Sequence, residues 1–362
     1  MSRSKRKSLR EDCVNGAFIV GIIAVIVAFL ALIGLNVKIF DPIDKAIGSL
    51  CMSDGFFYSR HREHSGVCDP DVVIVDLAGV EGRGEIAGIV NDINSCSPRV
   101  LAVDVIFGKT ASSDSFQDSL LVDAFRETSR LVLAQRIVRT ADGHRLERSF
   151  FADDVDCVEG DVNLEYGIVR HIPAEVESDG VAYPSFVSRI ASLAGRSEVV
   201  DNELINWSSL DTISVPPSRI SAAGPFLRDK IVLLGDSRDL RDYHDIPVLS
   251  DGEARISGLN IIAQSLYTLR PGNGFRTTPT WFDILLGIVL TYAFCTFCIS
   301  PVRRSSLDDG WITAAQAAVL VLLLSISYIL FWVFHLNMSL AYWFLGVGCA
   351  NLAAKIYFFF KR

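Results

Sequence analysis

The 362-residue sequence is half apolar (50%), and 21% of its residues are charged. An ordinary soluble protein is less apolar and a chain buried wholly in lipid is less charged, so the two properties must lie in different segments. Residues 36–280 hold 24 Lys and Arg against 37 Asp and Glu, a net charge of −13, whereas the remainder carries +5. Because the large polar region is acidic and would repel phosphate, a nucleic-acid binder is excluded.

Four apolar stretches are long enough to cross a bilayer as helices. They comprise residues 17–35, 281–300, 311–334 and 338–360. The first stretch follows a basic leader, residues 1–16, and no small-residue cleavage site ends it. We therefore predict an uncleaved signal anchor.

Charge asymmetry predicts the orientation of these spans. All ten basic residues outside 36–280 lie in the leader, in the loop 301–310 or near the C-terminal end. The positive-inside rule assigns these segments to the cytoplasm. We expect a multi-pass protein of the bacterial cytoplasmic (inner) membrane, with both termini inside and residues 36–280 outside.

Short apolar runs alternate with helical patterns in the outer region. The predicted strands are residues 72–77, 100–107, 131–134 and 231–235. The predicted helices are residues 84–93, 115–128, 185–194 and 259–269, and residues 155–173 are expected to form a β-rich insertion. This alternation favours an α/β sheet with helices on both faces. The predicted fold class is a membrane-anchored α/β domain with one transmembrane helix before it and three after it.

The outer region has an even number of cysteines, which permits disulfides. These are Cys51, Cys68, Cys96 and Cys157. The segment between Cys51 and Cys68 is polar and contains glycines, so we predict a loop closed by that pair. Residues 60–64 contain two histidines, so this segment is interpreted either as a solvated loop or as a metal or anion site. Pairing of Cys96 with Cys157 is left open.

Gly235-Asp236-Ser237, followed by Asp242 and His244, is similar to the Gly-Asp-Ser block of lipases and esterases. Such an enzyme needs a histidine base beside its serine, held by a carboxylate. Here the serine comes near the end of the domain, and the acid and histidine have the wrong spacing. A serine hydrolase is therefore a minor alternative.

Acidic residues fall where predicted strands end. Asp76 and Asp104 lie near the carboxyl ends of two strands, and Asp236 follows a third. Open α/β sheets bind ligands at that edge, and carboxylates there hold a cation or hydrogen-bond a small solute. We predict one ligand-binding cleft containing these three acids, Asp242 and the counter-charge Arg83. Helix capping and an Asp/Arg network that only stabilises the fold are the alternatives, and a metal stays undecided.

Several segments, in this order, resemble the CHASE domain of the second type. They are Val72–Asp76, Arg83, Val103–Phe107, Gly160–Asn163, Gly167–Arg170, Ile205–Trp207, Lys230–Gly235, Asp242–Pro247 and Gly258–Gln264. The resemblance covers most of residues 36–280 and extends to one span before the domain and three after it. The Trp-Pro that usually precedes the arginine is missing, and the segment between Cys51 and Cys68 departs from the pattern.

This resemblance implies an extracytoplasmic sensory domain that binds a small ligand. Family members usually carry a cyclase, kinase or phosphatase after the last span, whereas this sequence stops at Arg362. We therefore expect a sensor that is not an enzyme, has no cofactor and acts through a membrane or cytoplasmic signalling partner. A homo-oligomer is compatible with that role. The alternative is a structural or assembly subunit of an envelope complex.

Overall fold

The computed structural model describes residues 3–36, 52–63, 66–109, 114–140, 143–164, 167–200, 203–250, 253–304, 309–338 and 341–361. The chain divides into two compact units. One comprises Met1–Met52 and Arg276–Arg362, and the other comprises Ser53–Phe275.

The unit Ser53–Phe275 is an α/β domain. Its strands are β1 Val72–Asp76, β2 Val100–Val103, β3 Leu131–Thr140, β4 Gly143–Arg148, β5 Val158–Asp161, β6 His171–Ile172, β7 Glu175–Ser178, β8 Val181–Pro184, β9 Glu203–Leu204, β10 Ile213–Val215, β11 Ile231–Gly235, β12 Tyr243–Ser250 and β13 Glu253–Ser257. Its helices are α2 Met52–Glu63, α3 Arg83–Ser95, α4 Ser115–Arg126, α5 Phe186–Ala194, α6 Ile220–Leu227 and α7 Gly258–Thr268.

Within the described residues, seven of these strands form one sheet in the order β10-β1-β11-β2-β3-β4, with β5 also paired to β3. All pairs are parallel except β3 with β4. Every residue of β1, β2 and β11 is buried. Burial on both faces requires a covering layer on each side, as expected for a parallel sheet.

Helices supply those two layers. One core cluster packs α3, α4 and α6 against alternate residues of the strands, with Ile93, Phe125 and Ile220 fully buried. Of the remaining helices, α5 contacts β2 and β3, and α7 contacts β1 and β11. The predicted α/β class with helices on both faces is confirmed.

The segment after the first span differs from the predicted loop. Residues 52–63 form helix α2, in which Phe56 and Phe57 are 2% and 0% exposed. Both rings pack edge-on against Phe275, at centroid distances of 6.0 and 5.4 Å. The local sequence is polar, and the helix is held by these tertiary contacts rather than by its own amphipathic pattern.

The cysteine predictions have separate outcomes. Cys51 lies outside the described residues and Cys68 is a half-buried thiol, so a Cys51–Cys68 disulfide stays a prediction. Cys96 and Cys157 are both free thiols. Their sulfur atoms contact different backbone carbonyls, those of Asp92 and Ala152, so the two do not pair in this structure.

The other unit is helical. It comprises α1 Arg3–Asn36, α8 Thr280–Phe294, α9 Ser300–Arg304, α10 Asp309–Phe334 and α11 Ala341–Lys361, with a π-helical turn between α8 and α9 and the short strands β14 Arg276–Thr277 and β15 Leu336–Asn337. In the described residues four segments are long and apolar enough to cross a membrane: Ser8–Ala28, Thr280–Val302, Gly310–Phe334 and Tyr342–Lys361. The protein is therefore a multi-pass membrane protein with one such helix before the α/β unit in the chain and three after it.

A polar network centred on the buried Asp12, Asn15 and Ser300 joins three helices of this unit. The Ser300 hydroxyl donates to Asp12 Oδ1 at 2.7 Å and accepts from the Asn15 side chain at 3.0 Å. Asn15 Oδ1 in turn accepts from Tyr357 at 2.9 Å and Lys361 at 2.7 Å. Buried polar groups need such partners, so the network fixes α1 against α9 and α11.

Candidate functional site

The carboxyl ends of three adjacent parallel strands, β1, β11 and β2, meet at one edge of the sheet. Their register pairs Asp76 with Gly235 and Leu234 with Val103. A backbone hydrogen bond of 2.8 Å from Asp104 N to Leu234 O continues the ladder past β2. This is the edge at which open α/β sheets bind ligands.

Asp104, Asp242 and His244 lie together there, and we call them the edge cluster. Asp242 Oδ2 accepts a hydrogen bond of 3.0 Å from Gly258 N, at the start of α7. This hydrogen bond fixes the Asp242 side chain at the N-terminal end of α7. His244 Nε2 lies 3.4 Å from Asp242 Oδ1. The cluster thus combines an anchored carboxylate with an imidazole and a second acid.

Asp104 is the perturbed acid of the edge cluster. Burial and the negative charge of Asp242 raise the pKa of Asp104 to about 7, although His244 acts in the opposite direction. The residue is partly buried, and among the described residues no donor hydrogen-bonds to its carboxyl group. A carboxyl group that titrates near neutrality and has an unused acceptor is typical of functional sites.

Asp76 and Asp236 organise the loop after β11 and do not join the edge cluster. The buried Asp76 accepts hydrogen bonds of 3.1 Å from Ala78 N and Ser237 N, and it pairs with Arg238 at 3.3 Å. The exposed Asp236 accepts from Arg238 N at 2.8 Å. Both acids satisfy loop N–H groups, the alternative role considered for them from sequence.

The predicted role of Arg83 as counter-charge of these acids needs correction. Its guanidinium is paired with Asp118 on α4, donates to Gly108 O and lies 5.1 Å from the Phe150 ring. Because α3 and α4 pack side by side, the acid of the neighbouring helix reaches Arg83. The cation paired with Asp76 is Arg238 instead.

Ser237 does not have the geometry of a hydrolase nucleophile. In the part of the chain that the structure describes, its N–H donates to Asp76, its carbonyl accepts from Tyr243, and its side chain has no hydrogen bond to a histidine. His244 contacts Asp242. A serine without an adjacent base is a weak nucleophile.

A metal site at this edge also lacks support. Among the described residues, no group of three or more His, Cys, Asp and Glu side chains is arranged to hold a metal ion.

His244 is the site residue that sequence reasoning missed. The sequence suggests His244 only as a base for Ser237, a role set aside because of its spacing from Asp242. The imidazole lies beside Asp242 because β12 begins at Tyr243 and pairs with Ser257, the residue before α7. A His two residues after an Asp at a strand start was the available signal.

A family model described as the CHASE2 domain matches residues 24–297 of the chain. The chain belongs to the CHASE2 family. The match covers the whole α/β unit and agrees with the resemblance seen in the sequence. Comparisons with curated proteins and with solved structures give no significant match.

Two residues of the segments in which the sequence resembles the CHASE2 domain have clear structural roles. Gly160 on β5 lies against the start of α5, where an added Cβ would come 2.5 Å from Phe186 Cα. Arg170 is buried and forms an ion pair of 2.8 Å with Asp54 on α2. The CHASE2 domain thus carries its motif residues both inside the fold and at its candidate site.

Proposed function

We propose that this CHASE2 protein is a bacterial membrane sensor whose extracytoplasmic domain binds a small solute at the edge cluster. The observation that carries the proposal is Asp104, a partly buried acid with a raised pKa and no protein hydrogen-bond donor on its carboxyl group within the described chain. A site of this kind costs stability without a ligand and gains from a solute that donates hydrogen bonds.

The chemistry of the edge cluster favours a small solute with amino or hydroxyl groups. Carboxylate oxygens accept hydrogen bonds, protonated Asp104 also donates one, and His244 supplies a donor or an acceptor according to its tautomer. Asp242 is 44% and His244 33% exposed at the side chain, so both are open to solvent. Membership of a sensory family supports a binding role, and we infer that the protein acts through a signalling partner and not as an enzyme.

Solute binding is tested by thermal unfolding of the full-length protein in detergent with amino acids, polyamines and sugars. A ligand at about 100 times its Kd stabilises the folded state by about 2.7 kcal/mol, and we expect this gain to be lost in His244→Gln. The control is His144→Gln, since His144 forms a similar pair with Asp179 at 3.2 Å elsewhere in the domain. Equal stabilisation in both variants, or none with any solute, would contradict the proposed site.

Partner capture separates the sensor from an envelope subunit. Mild-detergent purification followed by mass spectrometry should recover a signalling protein whose association changes when a stabilising solute is added. Constant stoichiometric association with envelope proteins, with no response to any solute, would support the structural alternative.

We also propose that both termini are cytoplasmic and that residues 36–280 lie outside the bacterial inner membrane. In a cysteine-free background, Ser197→Cys in the α/β unit should react with a membrane-impermeant thiol reagent in intact cells, because Ser197 is exposed. Ser306→Cys, beside Arg303 and Arg304, should react only after the cells are opened, because basic loops stay inside. The opposite labelling pattern would reverse the orientation.

A further inference from the structure

The two ends of the α/β unit are packed together. Helix α2 follows the first span in the chain, and Phe275 is the last residue before the segment that leads into the second span. Phe56 and Phe57 meet the Phe275 ring nearly at right angles, and all three side chains are at most 8% exposed. A displacement of α2, at the start of the domain, therefore also changes the packing around Phe275 at its end.

A buried ion pair ties α2 to the body of the domain. Arg170 Nε and Nη2 donate to the two carboxylate oxygens of Asp54 at 3.1 and 2.8 Å. The side chains are 6% and 19% exposed. A bidentate pair in such surroundings is strong and fixes the orientation of both partners.

The residue before Arg170 is bonded to the strand that carries the edge cluster. Val169 N donates to Asp245 O at 2.8 Å, and Ile168 forms a parallel bridge with the same residue. Asp245 directly follows His244 on β12. The register of β12 against β13 shifts between Asp245 and Ser250, so the regular ladder is interrupted directly after Asp245.

We propose that the Arg170–Asp54 pair is a positioning element that couples the edge cluster to helix α2 and, through the aromatic contacts, to Phe275. A rearrangement of Asp242 and His244 moves Asp245, which carries Val169 and Arg170 with it and shifts α2. This inference rests on the proposed function, because it names how the same site is read out. Each step is a direct contact or a peptide linkage, and the coupling requires the interrupted part of β12 after Asp245 to rearrange.

A double-mutant cycle on the full-length protein in detergent tests this coupling. Hydrogen–deuterium exchange is measured on α2 peptides in wild type, Asp242→Asn, Arg170→Gln and the double variant. We expect Asp242→Asn alone to change α2 exchange about fivefold, a usual size for coupling between two sites. In the Arg170→Gln background the same change should have an effect of less than about 1.5-fold, because the connection is cut.

The matched control is Asp69→Asn. It breaks another deeply buried ion pair of the domain, Arg196 with Asp69 at 2.6 Å, whose side chains are 7% and 3% exposed. The effect of Asp242→Asn on α2 should persist in that background, whereas Asp54→Asn should abolish it as Arg170→Gln does. Asp54→Asn also replaces Arg170→Gln if the latter does not fold.

An effect of Asp242→Asn on α2 that is equal with and without the Arg170–Asp54 pair would overturn the coupling, as would no effect in the wild-type background. Because no solute is added, this result is independent of the ligand screen. If Asp242→Asn affects α2 through the Arg170–Asp54 pair but no solute stabilises the protein, the coupling is supported and the small-solute proposal is contradicted.

Discussion

Replacing Gly160 by alanine should destabilise the α/β unit severely. An added Cβ would lie 2.5 Å from Phe186 Cα, 2.9 Å from Phe186 N and 3.1 Å from Ser185 O. All three are backbone atoms at the start of α5, so no side-chain rotation relieves the overlap. Overpacking of this kind costs about 1–3 kcal/mol where side chains can adjust, and we expect about 3 kcal/mol or more here, seen as a lower unfolding temperature or loss of folded protein.

Gly88→Ala is the matched control for this change. Gly88 lies inside α3, and an added Cβ there would meet nothing within 4 Å. Alanine is favoured over glycine in a helix by about 0.8–1 kcal/mol, so this variant should be slightly more stable than wild type. A Gly160→Ala protein as stable as wild type would show that β5 and α5 are not in contact as described.

The contribution of Asp104 to the stability of the protein should fall between pH 4 and pH 7. Its pKa is raised to about 7 in the folded protein from 3.8, so in this range the folded state binds a proton that the unfolded state has lost. The stabilising effect of that proton is complete below about pH 4 and is lost as the pH rises through 7. For one such group, the free energy of unfolding falls by about 1.4 kcal/mol per pH unit in this range.

Asp104→Asn isolates this contribution. The neutral amide cannot ionise, so the variant should match wild type near pH 4 and exceed its free energy of unfolding by about 4 kcal/mol at pH 8. The control is Asp236→Asn, an exposed acid of the neighbouring loop, which should leave the pH profile unchanged. Chemical unfolding of both variants across pH 4–8 provides the measurement, and parallel profiles for wild type and Asp104→Asn would contradict the raised pKa.

An acid that costs stability at neutral pH has a physical consequence for function. Purely structural acids of this domain are satisfied, as Asp76 is by Ala78 N, Ser237 N and Arg238. Asp104 has no such donors in the described structure. Natural proteins commonly retain this sort of strain at binding sites, and the difference between the two acids therefore separates the site from its supporting loop.

The periodic parts of the sequence determined most of the fold. Buried parallel strands are continuous apolar runs, and residues 72–77 and 231–235 were predicted to within one residue of β1 and β11. The four membrane helices were equally evident, because a bilayer requires about 20 apolar residues in each. Parallel neighbours end at a common edge, which is why acids distant in sequence could be expected near one another.

Only the tertiary structure decided which of those acids interact. Arg83 pairs with Asp118 because α3 and α4 lie side by side, and His244 joins Asp242 because β12 brings it to the start of α7. Helix α2 lacks a strong pattern of its own and is held by Phe275 and Arg170, which are more than 100 residues away. A long side chain interacts with the partner that the packing of helices and strands brings near it. Local sequence patterns do not encode which elements pack together.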